Sequence, residues 1–116
     1  VYGWVSAVAC TSIDGRPVAV TGGWDPTRVW DLTTGTPHST LPSSSITDSL
    51  RTVACTNIDG QPFAVTGGFK GTIRIYKLAT GTLYSTLDGN ISPVFGVACA
   101  SIDGRPVAVT GSENST

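Results

Sequence analysis

The sequence predicts an all-β chain of four-stranded antiparallel sheets arranged as β-propeller blades, the third blade incomplete. Three observations predict it. The stretch 8–22 (VACTSIDGRPVAVTG) returns in nearly the same form at 53–67 and again at 97–111, at spacings of 45 and then 44 residues, the length of one four-stranded propeller blade. Each copy alternates short runs rich in Val, Ala and Thr with Asp-Gly or Thr-Gly turns, and no helical pattern interrupts them. A segment of this kind buries its faces only by stacking on copies of itself.

The elements follow in order. Strand a of the first copy is expected at 5–10. Asp14-Gly15 then makes a hairpin turn, because both central positions of such a turn take positive φ. Strand b is expected at 17–21, with Pro17 at its start because proline gives the ladder no N–H. Strand c follows at 27–32, Thr33-Thr34-Gly35 turns the chain, and strand d closes the copy at 37–41. The second copy repeats the course at 50–55, 62–66, 72–78 and 83–87. The third holds only strands a and b, at 94–99 and 106–110. Blade boundaries therefore fall at 1–41, 42–87 and 88–116. The Ser-rich connection 42–48 is two residues longer than 88–92, and the first b–c turn is one residue shorter than the second. Together these account for the two spacings.

Composition bounds the function. The chain has 116 residues, a net charge of −1 and no Met. Without a Lys/Arg cluster, nucleic acid is not an expected partner. No apolar run approaches the ~20 residues of a membrane span, and no targeting segment is visible. Two and a half blades are fewer than the roughly four a closed propeller needs, so the chain is expected to belong to a longer polypeptide or to complete itself by assembly. The lack of Met agrees with the first. Cys10, Cys55 and Cys99 share one position of the copies. They read as small buried apolar residues, since no second Cys or His lies at ligand spacing. That usage fits a reducing, cytoplasmic setting.

Catalytic signals are sparse. His38 is the single histidine and falls on the outer strand d, where it reads as a solvent-facing residue. Asp14, Asp59 and Asp103 recur as turn residues. Gly22-Gly23 and Gly67-Gly68 lie in b–c turns, not in a phosphate-binding loop between a strand and a helix. Asn90-Ile91-Ser92 and Asn114-Ser115-Thr116 are formal glycosylation sequons. No enzyme activity, metal or cofactor is called for.

These residues resemble WD40 repeats over essentially the whole chain. Trp30-Asp31 matches the signature dipeptide that closes strand c, and Tyr76-Lys77 stands there in the second copy. Leu87-Asp88-Gly89-Asn90 resembles the family's Gly-His stretch, with Asn90 in place of His; Val1 and Ile46 occupy that place in the other copies. The resemblance implies a hydrogen-bonded tetrad of His, Ser/Thr, Asp and Trp within each blade. Its remnants here are Thr21, Asp25 and Trp30, then Thr66 and Tyr76 with Lys70 in the Asp position, then Asn90, Thr110 and Asn114. No blade has the full set, and each missing member removes a bond worth ~1 kcal/mol.

The resemblance also implies a ligand-binding top face. Trp4 and Ser6, Arg51, and Phe95 flank the inward residues Val5, Leu50 and Val94; Trp24, Phe69 and Glu113 precede the tetrad Asp position. They differ among copies that otherwise agree, and Trp, Phe and Arg dominate them. Trp and Arg are enriched at binding hot spots. A second reading has Trp4 and Trp24 simply covering one another or plugging a central channel. The function expected is a scaffold that binds a protein or peptide on this face. The alternatives are a structural fragment that completes a ring by oligomerisation and a repeated sugar-binding propeller; the latter is disfavoured because Trp24-Asp25, Phe69-Lys70 and Glu113-Asn114 do not repeat their polar groups. Val8, Val20, Val53, Val65, Val97 and Val109 are expected to be buried between blades. The bare edge of the third blade is expected to invite another chain, so an isolated monomer is not expected to be stable.

Overall fold

The computed structural model describes residues 5–23, 27–41, 50–68, 72–87 and 94–112. Ten strands account for nearly all of them: β1 (Val5–Ile13), β2 (Arg16–Gly23), β3 (Arg28–Asp31), β4 (Thr36–Thr40), β5 (Leu50–Ile58), β6 (Gln61–Gly68), β7 (Ile73–Lys77), β8 (Thr82–Leu87), β9 (Val94–Ile102) and β10 (Arg105–Ser112). They form three separate antiparallel sheets of four, four and two strands, ordered β1-β2-β3-β4, β5-β6-β7-β8 and β10-β9.

This arrangement corrects the expected fold. The chain is all-β, but none of the three sheets is closed or curled into a propeller blade arrangement. The β-propeller class, the WD40 resemblance and the repeat-blade description that depended on them are therefore set aside. The strand and turn signals are local and are satisfied by separate sheets; closure depends on relations between sheets that no local residue sets.

Local chemistry explains the strands themselves. Asp14, Asp59 and Asp103 have φ of 50°, 53° and 52°, and the glycines after them 80°, 77° and 77°. Both central residues are thus left-handed, the geometry that lets a two-residue turn follow the right-handed strand twist. The tight turns carry the ladders to their ends: Ile13 pairs with Arg16, Ile58 with Gln61 and Ile102 with Arg105. The first strand of every sheet therefore runs three residues past its expected limit.

Directly paired residues share a face, and successive residues along a strand point to opposite faces. One face of each sheet, face A, carries Val8, Cys10, Ala19 and Trp30 in the first sheet, Val53, Cys55, Ala64 and Tyr76 in the second, and Val97, Cys99 and Ala108 in the third. The opposite face B carries Ala9, Val18, Val20 and Val29, then Ala54, Phe63, Val65 and Ile75, then Ala98, Val107 and Val109. The core forms where face B of one sheet meets face A of the next. Val18, Val20, Val29 and Leu41 pack with Leu50, Val53, Ala64, Tyr76 and Leu78. Val65, Ile73 and Ile75 pack with Val97 and Cys99. The first contact is tight: a Cβ on Gly22 would stand 2.6 Å from a Leu50 methyl.

The valine expectation is met in part. Val20, Val53 and Val65 are buried, and Val97 is half-buried. Val8 and Val109 are 60% and 64% exposed, because no described sheet covers face A of the first sheet or face B of the third. Cys10 is exposed for the same reason, not buried as expected.

Candidate functional site

Three of the expected top-face residues share a backbone feature. The ladder register slips between Val5 and Ala7, between Leu50 and Thr52, and at the start of β9, where Val94 pairs Ser112 and Gly96 pairs Gly111. Ser6, Arg51 and Phe95 are the extra residues of these three bulges. A bulge removes one residue from the ladder and re-aims its side chain. It also explains how Leu50 and Val53, an odd number of residues apart, are both buried. Arg51 is exposed; the side chains of Ser6 and Phe95 lie outside the described residues. So do Trp4, Trp24, Phe69 and Glu113, and of the tetrad set Asp25, Asn90 and Asn114, with Lys70.

Among the described tetrad positions, Thr21, Trp30 and Thr66 bond within their own sheets. Trp30 donates from Nε1 to Thr21 Oγ1 across β2 and β3 at 3.0 Å. In the second sheet Tyr76 replaces Trp30 and is buried, and Thr66 donates instead to the carbonyl of Arg74 at 3.4 Å. Thr110 occupies the corresponding place on β10 and is half-buried.

Asp31 is a residue whose role as a local anchor the sequence reading missed. It is buried and accepts from the backbone N–H of Thr33 at 2.9 Å and of Thr34 at 3.3 Å, closing the β3–β4 turn through its side chain. Its other oxygen meets Arg16 Nη2 at 3.1 Å. The Asp-Leu-Thr-Thr-Gly run was the available signal, since an Asp followed by Thr-Thr-Gly favours a side-chain-closed turn.

The third sheet is the place where the arrangement stays open. β2 pairs with β1 on one side and β3 on the other, and β6 likewise with β5 and β7. Among the described residues β10 pairs with β9 alone. The same residues of β2 spend the backbone N–H and C=O groups of their second edge on β3.

The remaining chemistry is modest. Cys55, on the middle first strand, has its thiol pushed up from 9.0 to about 11, first by burial and then by Cys99 and Cys10 nearby. Burial also raises the Cys99 thiol. Burial thus disfavours the Cys55 thiolate, which makes it a poor nucleophile. His38 is exposed on β4 beside Ser39. Among the described residues no group of three or more His, Cys, Asp or Glu gathers to hold a metal ion, and no helix is long and apolar enough to cross a membrane. No family model matches the chain, and no curated protein matches it.

Proposed function

We propose that this chain is a protein- or peptide-binding scaffold that takes an extended segment of its partner as a strand on the open edge of β10. The observation that carries this is the contrast between β2 and β10. Residues 16–22 and 105–111 are the same, Arg-Pro-Val-Ala-Val-Thr-Gly, yet β2 holds β3 on its outer edge and β10 holds no described strand there. Backbone pairing supplies affinity in such strand addition, and alternate side chains supply selectivity.

The occupant of the β2 edge indicates what the β10 edge accepts. Arg28, Val29, Trp30 and Asp31 lie opposite Thr21, Val20, Ala19 and Val18. On β10 the same partners would face Thr110, Val109, Ala108 and Val107. Thr110 is then placed to accept from a Trp indole as Thr21 does, and Arg105 to meet an acid as Arg16 meets Asp31. The favoured segment is extended, with Arg-Val-Trp-Asp character. The bulged residue Arg51, exposed at the start of β5, extends the binding surface. Free thiols at all three cysteines support a reducing, cytoplasmic setting.

The test is calorimetric titration of the whole chain with a synthetic peptide of residues 27–41. Saturable binding is expected, weakened about fivefold by Thr110→Val, the weight of one hydrogen bond of ~1 kcal/mol. A scrambled peptide that binds equally well, or a Thr110→Val chain that binds as the wild type does, refutes the edge assignment.

A further inference from the structure

Among the described residues, two sheet faces are uncovered, and they match each other. Face B of the third sheet carries Ala98, Ala100, Ile102, Val107 and Val109. Val109 and Ile102 are 64% and 61% exposed, and Ala98 and Ala100 are exposed as well. Face A of the first sheet presents Val8, Cys10 and Leu32, all exposed. A contiguous apolar face on a small chain marks an interaction surface.

The molecule already contains this contact. Face B of the first sheet, with Ala9, Ile13, Val18 and Val20, lies against face A of the second, with Val53 and Cys55. The third sheet's face B repeats those residues as Ala98, Ile102, Val107 and Val109, differing only where Thr11 becomes Ala100. The first sheet's face A repeats Val53 and Cys55 as Val8 and Cys10. A surface that packs inside the chain is therefore displayed at one end, and its counterpart at the other.

We propose that a second copy of this chain docks head to tail, face B of the third sheet of one copy covering face A of the first sheet of the next. The contact is heterologous: different surfaces meet, so each copy retains one free face after the first docking step. It lies on sheet faces, apart from the hydrogen-bonding edge of β10, and it stands whether or not that edge takes a peptide. The docked area is confined to β9 and β10 on one side, since no β3 or β4 counterpart joins them among the described residues. The association is accordingly expected to depend on concentration. Cys10 would come to occupy the place that Cys55 holds inside the chain.

The experiment is sedimentation equilibrium across a concentration series for the wild type, Val8→Asp, Val109→Asp and an equimolar mixture of the two variants. Both substitutions fall on exposed positions, and far-ultraviolet circular dichroism checks that each variant keeps its strands. The wild type should rise from the 11.9 kDa of one chain toward multiples of it, and each variant alone should remain one chain. The mixture should form a dimer and stop there, because Val8→Asp keeps an intact third-sheet face and Val109→Asp an intact first-sheet face. In the same series Cys10 alkylation in the wild type should slow at least tenfold as association proceeds. A wild type that stays one chain at every concentration overturns the proposal. So does a mixture that fails to pair, or a Val8→Asp chain that associates as the wild type does; the first of these leaves the faces to a different occupant, the last places the contact elsewhere.

Discussion

Strands β2 and β10 carry the same seven residues from Arg to Gly and end in different surroundings. Their turns are alike, with φ of 50° and 80° before β2 and 52° and 77° before β10. Their pairing to the preceding strand is alike too, Val20 opposite Ala9 and Val109 opposite Ala98. Yet Val20 is fully buried and Val109 is 64% exposed. Local sequence sets the strand, the turn and the register. Burial is set by whatever sheet lies against the face, which the strand's own residues do not determine. Leu32 and Leu78 repeat the lesson between the first two sheets. Each donates its N–H to the carbonyl of the proline near the start of its sheet's second strand, Pro17 at 3.0 Å and Pro62 at 3.1 Å, but Leu78 is sealed beneath the first sheet while Leu32 is 51% exposed.

The largest effect should come from the leucine pair. Leu78→Ala removes a fully enclosed side chain between two packed sheets and should cost about 2–5 kcal/mol. Leu32→Ala, at the equivalent but open position, should change stability by less than about 0.5 kcal/mol. Urea midpoints of the two variants, measured at a concentration where the chain is not associated, decide the matter. Equal losses would mean that Leu32 is also covered.

The valines give a smaller version of the same contrast. Val20→Ala should cost about 1–2 kcal/mol, because its two methyls fill a contact that the second sheet cannot close over. Val109→Ala should be close to neutral in the single chain. If Val109→Ala lowers the midpoint as much as Val20→Ala, the third sheet's face is occupied in the free protein and the comparison between β2 and β10 fails.

The division between what was and was not legible runs along the same line. The ten strands and their turns could be read from Asp-Gly and Thr-Gly dipeptides and from runs such as Val-Ala-Val-Thr, because those signals act over a few residues. The sheet arrangement could not, since the WD40-like spacing and the Trp30-Asp31 pair specify strands and neighbours but not how one sheet is set against another. Val8 and Val109 were misread for this reason: their repeats at 53 and 20 are buried by a neighbouring sheet, not by their own sequence. The bulges at Ser6, Arg51 and Phe95 carried a signal that went unused. Leu50 and Val53 are three apart, so a strict alternation places them on opposite faces, whereas the slip between Leu50 and Thr52 lets both join the same core cluster. The difference between β10 and β2 became visible only when their pairing among the described residues could be compared.

The smallest expected effect lies at the arginines that open the two matched strands. Arg16 reaches Asp31 at 3.1 Å, but its side chain is 61% exposed. Solvent screens such a pair and the long side chain loses rotamer freedom in making it, so exposed pairs contribute roughly 0.2–1 kcal/mol. Arg16→Gln should therefore cost no more than about 0.5 kcal/mol, and the loss should fade in molar salt as the Debye length shrinks. The second sheet already carries Gln61 and Lys77 at these two places and forms the same β6–β7 ladder without the ion pair, so the pair is not needed for the fold. Arg105→Gln alters the corresponding residue of β10, where no described strand brings a carboxylate to the open edge. It should leave the urea midpoint unchanged while weakening binding of the peptide of residues 27–41, whose Asp31 would face it. A stability loss in Arg105→Gln equal to that in Arg16→Gln would show that a strand already lies along the β10 edge in the free chain, and that the difference between β2 and β10 is one of exposed faces alone.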